Sequence, residues 1–270
     1  DTATLDLLKK WYDGGTGFQR PSMVMAAEPE KRIDLLSRVS DCDIIELHGL
    51  READVAYFFQ SRLGVAQLPA DWMATVAGNA NGDPSYVEEL SRHLIDSGIL
   101  SRQSSIQWSV SRDDLVGFSL PRSKKESLRR RLSGFGHTGR ELLEILAVMD
   151  RSVEWSTLRK IALTQGGEPT EVDRNIEMLR WRQFVHLDLD ENGRHLRLID
   201  PDLRDVILAP MNAEWRRSIS RRVAERLERN WKRGNGDVLE IAGHMEAANH
   251  DRAAVWLEMA GDNRSSKELA

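Results

Sequence analysis

Residues 184–199, FVHLDLDENGRHLRLI, constrain the fold of this chain more than any other stretch. Apolar and polar residues alternate with a period of two on both sides of Asp190-Glu191-Asn192-Gly193. Alternation puts one face of each strand on a core, and Asn-Gly in a short loop is a strong signal for a tight hairpin. Helix-length segments precede it: SKKESLRRRLSGF, TGRELLEILAVMD, EWSTLRKIALTQ and EPTEVDRNIEMLRWRQ. Pro169 and Thr170 are helix-entry residues for the last of these.

Three helices and a hairpin wing, closed by PDLRDVILAP, form a winged-helix layout over 122–210. On either side the reading is helical. Residues 51–104 carry READVAYFFQSRLG, with Val55, Phe58, Phe59 and Leu63 on one side. LPADWMATVAGNA and GDPSYVEELSRHLIDSGIL then complete a bundle of about three helices. SIQWSV (105–110) is strand-like, and 111–121 is a connector ending on Pro121. Residues 211–270 hold AEWRRSISRRVAERLERNW, GDVLEIAGHMEAANH and DRAAVWLEMAGDNRSS. Their small residues, Ala242, Gly243, Ala247, Ala253, Ala254 and Ala260, suit close helix approach, as at the start of a helical repeat array. Residues 1–50 differ. A helix over 3–13, the run SMVMAA, a second helix PEKRIDLLSRV and the buried strand DIIELHGL (43–50) alternate as in an α/β sheet. Two strands do not make a stable sheet, so the remaining strands are expected upstream of Asp1.

In GDPSYVEELSRHLIDSGIL, Asp83 is placed to cap a helix whose first turn accepts Pro84. Ser85 and Glu88 form an overlapping S-x-x-E capping box. Val87, Leu90, Leu94 and Ile95 make an apolar face, and Gly98 stops the helix.

The chain has 270 residues, a net charge of −5 and a single cysteine, Cys42. No internal disulfide can form, and a reducing, cytoplasmic setting is expected. No apolar run approaches the roughly 20 residues that span a bilayer, so no membrane partner is expected. The acidic balance gives no chain-wide affinity for nucleic acid. No phosphate-binding G-x-x-x-x-G-K-[ST], dinucleotide G-x-G-x-x-G, zincin H-E-x-x-H or hydrolase G-x-S-x-G motif occurs in the sequence. The seven histidines are scattered, without metal-ligand spacing. Two basic runs, RSKKESLRRR (122–131) and RRSISRRVAER (216–226), are read either as phosphate contacts or as solvated helix faces. The segment 169–182 would be the recognition helix of a DNA-binding winged helix. It carries Glu171, Asp173 and Glu177 after Glu168, so nucleic acid is disfavoured. Trp108, Trp155, Trp181, Trp215, Trp231 and Trp256 are expected in the core or at domain junctions.

The order of these parts resembles the C-terminal part of the STAND class of signal-transduction ATPases, which are AAA+-like P-loop regulators. DTATLDLLKKW is similar to the segment after the Walker B acids, and MVMAAEPEK to the sensor-1 strand and its exit. IIELHGLREADVAYFFQSRLG is similar to the last core strand entering the helical lid. GDPSYVEELSRHLIDSGIL matches the lid motif G-N-P-x-[FY]-[VL]-x-E-L. SLRRRLSGFGHTGRELLEILAVMD resembles the entry to the winged helix, and IAGHMEAANHDRAAVWLEMAGD a first tetratricopeptide-like hairpin. The resemblance implies a mainly α chain with five parts. These are the remnant of an α/β P-loop core (1–50), a helical lid bundle (51–104), a connector (105–121), a winged helix (122–210) and the start of a tetratricopeptide-like array (211–270).

By position, the resemblance makes Gly82, Asp83, Pro84, Glu28 and Asp200 nucleotide-site residues. It also implies ATP or ADP, with Mg, in the parent protein. Two positions depart from the pattern. Glu28, before Pro29, stands where the class has an arginine, and Asp200 in LIDPDLRD where it has a histidine. A carboxylate repels phosphate, so the parent is expected to be a slow or degenerate ATPase, of a class that is found fused to kinases or cyclases. This chain, lacking the P-loop, is expected to bind no cofactor alone. The function implied is a regulatory, non-catalytic segment: a nucleotide-dependent switch that senses a protein partner on its C-terminal helical repeats. The alternatives are a winged-helix DNA-binding transcriptional regulator and a nucleotide-free protein-interaction scaffold.

Overall fold

The computed structural model describes residues 45–65, 68–103, 108–110, 112–191, 193–232, 234 and 236–268. The chain divides into two units, residues 1–48 and 49–270, and every described element belongs to the second. The α/β remnant expected over 1–44, with Glu28, lies outside the described residues. Residues 45–50, the end of the expected strand DIIELHGL, form no strand. A strand needs a ladder neighbour, and Leu50 instead gives its N–H to the carbonyl of Gly82 at 2.9 Å.

The protein is mainly helical with a small antiparallel sheet. Helices α1 (Glu52–Leu63), α2 (Ala70–Ala80) and α3 (Pro84–Asp96) come first. Arg51 and Asp54 close the start of α1 reciprocally, and Gly64, at φ 63°, ends it. Val55, Phe59, Trp72, Val76, Tyr86, Val87, Leu90 and Leu94 form their core, with Phe59 edge-on to Trp72 at 5.6 Å. Strands β1 (Leu100–Arg102) and β2 (Trp108–Val110) make a short hairpin. The expected connector contains a short helix, α4 (Arg112–Gly117), whose Leu115 enters the same core.

The second core is larger. Helices α5 (Lys124–Ser133) and α6 (His137–Met149) are followed by β3 (Val153–Glu154), α7 (Trp155–Ala162) and α8 (Pro169–Trp181). The hairpin β4 (Val185–Asp190) and β5 (Gly193–Leu198) leads to α9 (Pro201–Leu208). The sheet order is β3-β5-β4, with Val153 opposite Leu196 and Leu187 opposite Leu196 on the other side. Buried Val153, Val185 and Leu196 fasten the sheet to Leu142, Ile145, Leu158 and Ile176 of the helices. Helices α10 (Ala213–Trp231), α11 (Val238–Ala247) and α12 (Ala253–Glu268) follow. They continue the same core through Ile219, Val223, Ile241, Met245 and Trp256, and Trp231 meets Trp256 edge-on at 5.1 Å. Trp181 departs from expectation. It closes α8 on the face opposite Val172, Ile176 and Leu179 and is 76% exposed. Among the described residues no helix is long and apolar enough to cross a membrane.

Candidate functional site

The entry to α3 carries three of the sequence-selected residues. Asp83 accepts the N–H and the hydroxyl of Ser85, both at 2.8 Å, and so caps the helix that Pro84 opens. Since Asp83 holds the cap, the S-x-x-E box does not form. Glu88 instead pairs with Arg92 at 2.6 Å, one turn along the same helix. Gly82 has φ 83°, and a Cβ there would lie 2.9 Å from the Cα of Gly49. Backbone is stacked on backbone, and the hydrogen bond from Leu50 to Gly82 closes the clasp. The clasp is filled by the chain itself.

Asp200 stands at the start of α9. Its carboxylate accepts the Asp202 N–H at 2.9 Å and holds Lys124 Nζ at 2.7 Å. Lys124 is shared with Asp202 at 2.9 Å. The two carboxylates, each through a hydrogen bond and its charge, hold the Lys124 ammonium above its ordinary pKa although partial burial opposes them. Asp200 is therefore a cap and an ion-pair partner rather than a bare anion. The entries to α3 and α9 are linked through the start of α5. Tyr86 Oη donates to the carbonyl of Pro121 at 2.6 Å, and Lys124 follows three residues later. Tested against a nucleotide, these residues offer a rigid proline and backbone wall. Their cation, Lys124, is already committed to two carboxylates. Among the described residues no group of histidine, cysteine, aspartate and glutamate is placed to hold a metal ion.

The most developed polar arrangement was not found from the sequence. It lies between α3, α5 and the end of α8. The Arg131 side chain is 1% exposed and is bonded on all sides. Nη1 reaches Glu89 at 2.7 Å, Nε reaches Asp96 at 2.7 Å, and Nη2 donates to the carbonyl of Arg182. Its guanidinium lies 4.4 Å from the centre of the Phe184 ring. Arg182 completes the cluster, 3.1 Å from Asp96 and stacked 4.5 Å over Phe135. Arg92 extends it, with Nε on Gln183 at 2.7 Å. Three carboxylates (Glu88, Glu89, Asp96) meet three guanidinium groups (Arg92, Arg131, Arg182), so the charge balances.

His93 and Ser127 sit beside this cluster, 3.1 Å apart. Burial, reinforced by the charges of Arg130 and Arg131, lowers the His93 imidazole to about 4, so it is neutral at pH 7. Burial also pushes the Glu89 carboxyl up, against the pull of Arg131. Taking one partner away from such a buried pair costs about 3–5 kcal/mol, because a charge is stranded. The arrangement thus joins the α1–α3 bundle to the α5–α9 layer with a joint that resists partial opening. No protein-family model and no curated protein matches this chain.

The sequence offered a weak signal for the joint. Arg131 lies in the basic run RSKKESLRRR, whose composition suggests either phosphate contacts or a solvated face. Neither applies to this residue. In the second run, Arg222 is likewise buried and paired with Glu141 of α6. The available clue was spacing: Arg131 follows Leu128 by three residues and so shares the apolar side of α5, whereas Arg129 does not, and in the structure Leu128 and Arg131 are buried while Arg129 is exposed.

Proposed function

We propose that residues 49–270 form the regulatory segment of a cytoplasmic, multidomain STAND-type ATPase, coupling a helical lid to a winged helix and a partner-sensing helical array. On this reading α1–α3 is the lid. Residues 122–210, α5 to α9 with β3, β4 and β5, are the winged helix, and residues 211–270, α10 to α12, begin the tetratricopeptide-like repeats. The observation that carries it is the buried Arg131 joint. A switch that passes a nucleotide signal from lid to sensor needs the two to move together, and this joint supplies the mechanical coupling. The clasp of Gly49 on Gly82 and the Pro84 at the first turn of α3 support a lid whose entry is held rigid. Exposed Leu239, Val255 and Leu257 on α11 and α12 support a protein partner on the last helices.

The test is nucleotide titration by calorimetry. The whole protein, with its P-loop, should bind ADP or ATP, and residues 1–270 alone should bind at least about 100-fold more weakly. A whole protein that binds neither nucleotide would replace this reading with the nucleotide-free scaffold. The scaffold has an observation in its favour: Asp83 and Asp200 are both consumed by internal contacts. The DNA-binding reading needs α8 to lie against phosphates. Glu171 and Glu177 share its outer face with Arg174, and only duplex binding that survives about 0.15 M salt would restore that reading.

A further inference from the structure

A cleft of about 250 Å³, lined by Glu154, Trp155, Ser156 and Arg194, opens where β3 runs into α7 and β5 begins. The proposed switch uses none of these residues. Trp155 is a fixed wall. Its body packs on the larger core, and its indole N–H donates to Asp173 at 3.2 Å, a carboxylate that Arg159 grips at 3.1 Å. Glu154 is fixed as well, because one of its oxygens accepts the Ser156 hydroxyl and the other the Thr157 hydroxyl. A carboxylate has about four lone-pair sites, so both oxygens can accept again. Ser156 spends its only hydroxyl hydrogen on Glu154 and turns lone pairs to the cleft. The side chains of this wall accept hydrogen bonds and donate none.

Arg194 stands opposite in character. It is exposed and makes no ion pair among the described residues. Its guanidinium lies 5.9 Å from the centre of the Trp155 ring, against 4.4 Å for Arg131 over Phe184 and 4.5 Å for Arg182 over Phe135. A flat group stacked on both sides needs about 7 Å between its neighbours, so an exposed arginine has only about 1 Å to yield. Glu154 repels an anion and Arg194 a cation. The group that fits is flat, uncharged and a hydrogen-bond donor along one edge.

We propose that this cleft takes a guanine base. The N1–H and the 2-amino group of guanine are adjacent, parallel donors that match the two oxygens of Glu154. Trp155 takes one face of the ring and Arg194 the other, as aromatic and guanidinium planes do for unpaired bases. Adenine and cytosine set an acceptor nitrogen beside the amino group, which would face the carboxylate, and hypoxanthine lacks the second donor. A free guanine nucleotide and a guanine in single-stranded RNA present the same edge. The site needs no P-loop and stands apart from the switch reading.

Guanosine monophosphate added to the 270-residue chain tests this, followed by nuclear magnetic resonance at the Trp155 indole N–H, a signal assigned by its loss in Trp155→Phe. The signal should shift and saturate, with a dissociation constant on the order of 1 mM. Adenosine and inosine monophosphates should bind at least about tenfold more weakly. Glu154→Gln and Arg194→Ala should each weaken guanosine monophosphate at least about fivefold with an unchanged circular dichroism spectrum. If Glu154→Gln fails to fold, Arg194→Ala and the inosine comparison decide. A short guanine-containing RNA strand that binds more tightly than the nucleotide, and loses that gain in Arg194→Ala, makes RNA the source of the base. A strand that binds no more tightly makes the free nucleotide the source. Absence of a shift at about 10 mM, equal binding of the three nucleotides, or binding indifferent to Arg194→Ala overturns the proposal.

Discussion

Gly82 and Gly98 are both glycines with positive φ, at 83° and 77°, yet they do different work. A Cβ on Gly98 meets open space, whereas one on Gly82 meets the backbone of Gly49 at 2.9 Å. Gly98→Ala should cost only the conformational penalty, about 1 kcal/mol. Gly82→Ala adds a backbone collision and should cost roughly 2–4 kcal/mol. Urea unfolding of the two variants measures the difference, and equal losses would mean that the clasp contributes nothing. His93 supplies a second prediction at this scale. Its folded imidazole protonates only near 4, against 6.5 for the unfolded chain. Between those values the unfolded state binds the extra proton, so stability falls as pH drops, by up to about 3 kcal/mol. Glu89 acts in the opposite sense. Its folded pKa lies above its ordinary value, so its contribution is present at low pH and is lost as pH rises through the folded pKa. Urea midpoints across pH 4 to 6.5 should therefore flatten in His93→Gln and steepen in Glu89→Gln.

At the scale of elements, the joint between α3 and α5 is the least replaceable contact. Arg131→Ala strands Glu89 and Asp96, both 6% exposed or less at the side chain, and should cost about 3–5 kcal/mol. The triple change Glu89→Leu, Asp96→Leu and Arg131→Met removes all three charges and should recover much of that loss, as measured by chemical denaturation. The α3 helix itself was legible beforehand, since Val87, Leu90 and Leu94 are buried as their spacing required. So was the hairpin, whose Asp190 faces Gly193 across the turn. Elements too short to show a period were not. The two-residue β3 exists only because β5 offers a ladder, and α4 is six residues inside a polar connector. Trp181 escaped for another reason. Hydrophobic type predicts burial only on average, and the helical period set by Val172, Ile176 and Leu179 turns Trp181 to the opposite side of α8. Arg131 is the converse: charge suggested solvent, and only the meeting of three helices makes a buried arginine tolerable.

At the largest scale, two apolar cores among the described residues share one polar seam. The first is built from residues between Val55 and Leu115, the second from residues between Leu128 and Ala260. With the joint intact, heat should unfold both in a single calorimetric transition. In Arg131→Ala the transition should split or broaden, with a van't Hoff enthalpy below the calorimetric one. Two separate transitions in the wild type would show the cores to be independent. The Gly49–Gly82 clasp bears on how such a chain can change over generations. Two positions far apart in the sequence are pressed Cα against Cβ position, and a side chain on either one needs the room the other now fills. A drifting lineage cannot test them singly. The pair is inherited as one trait, and any descendant that gains a side chain at one must first have moved the backbone at the other.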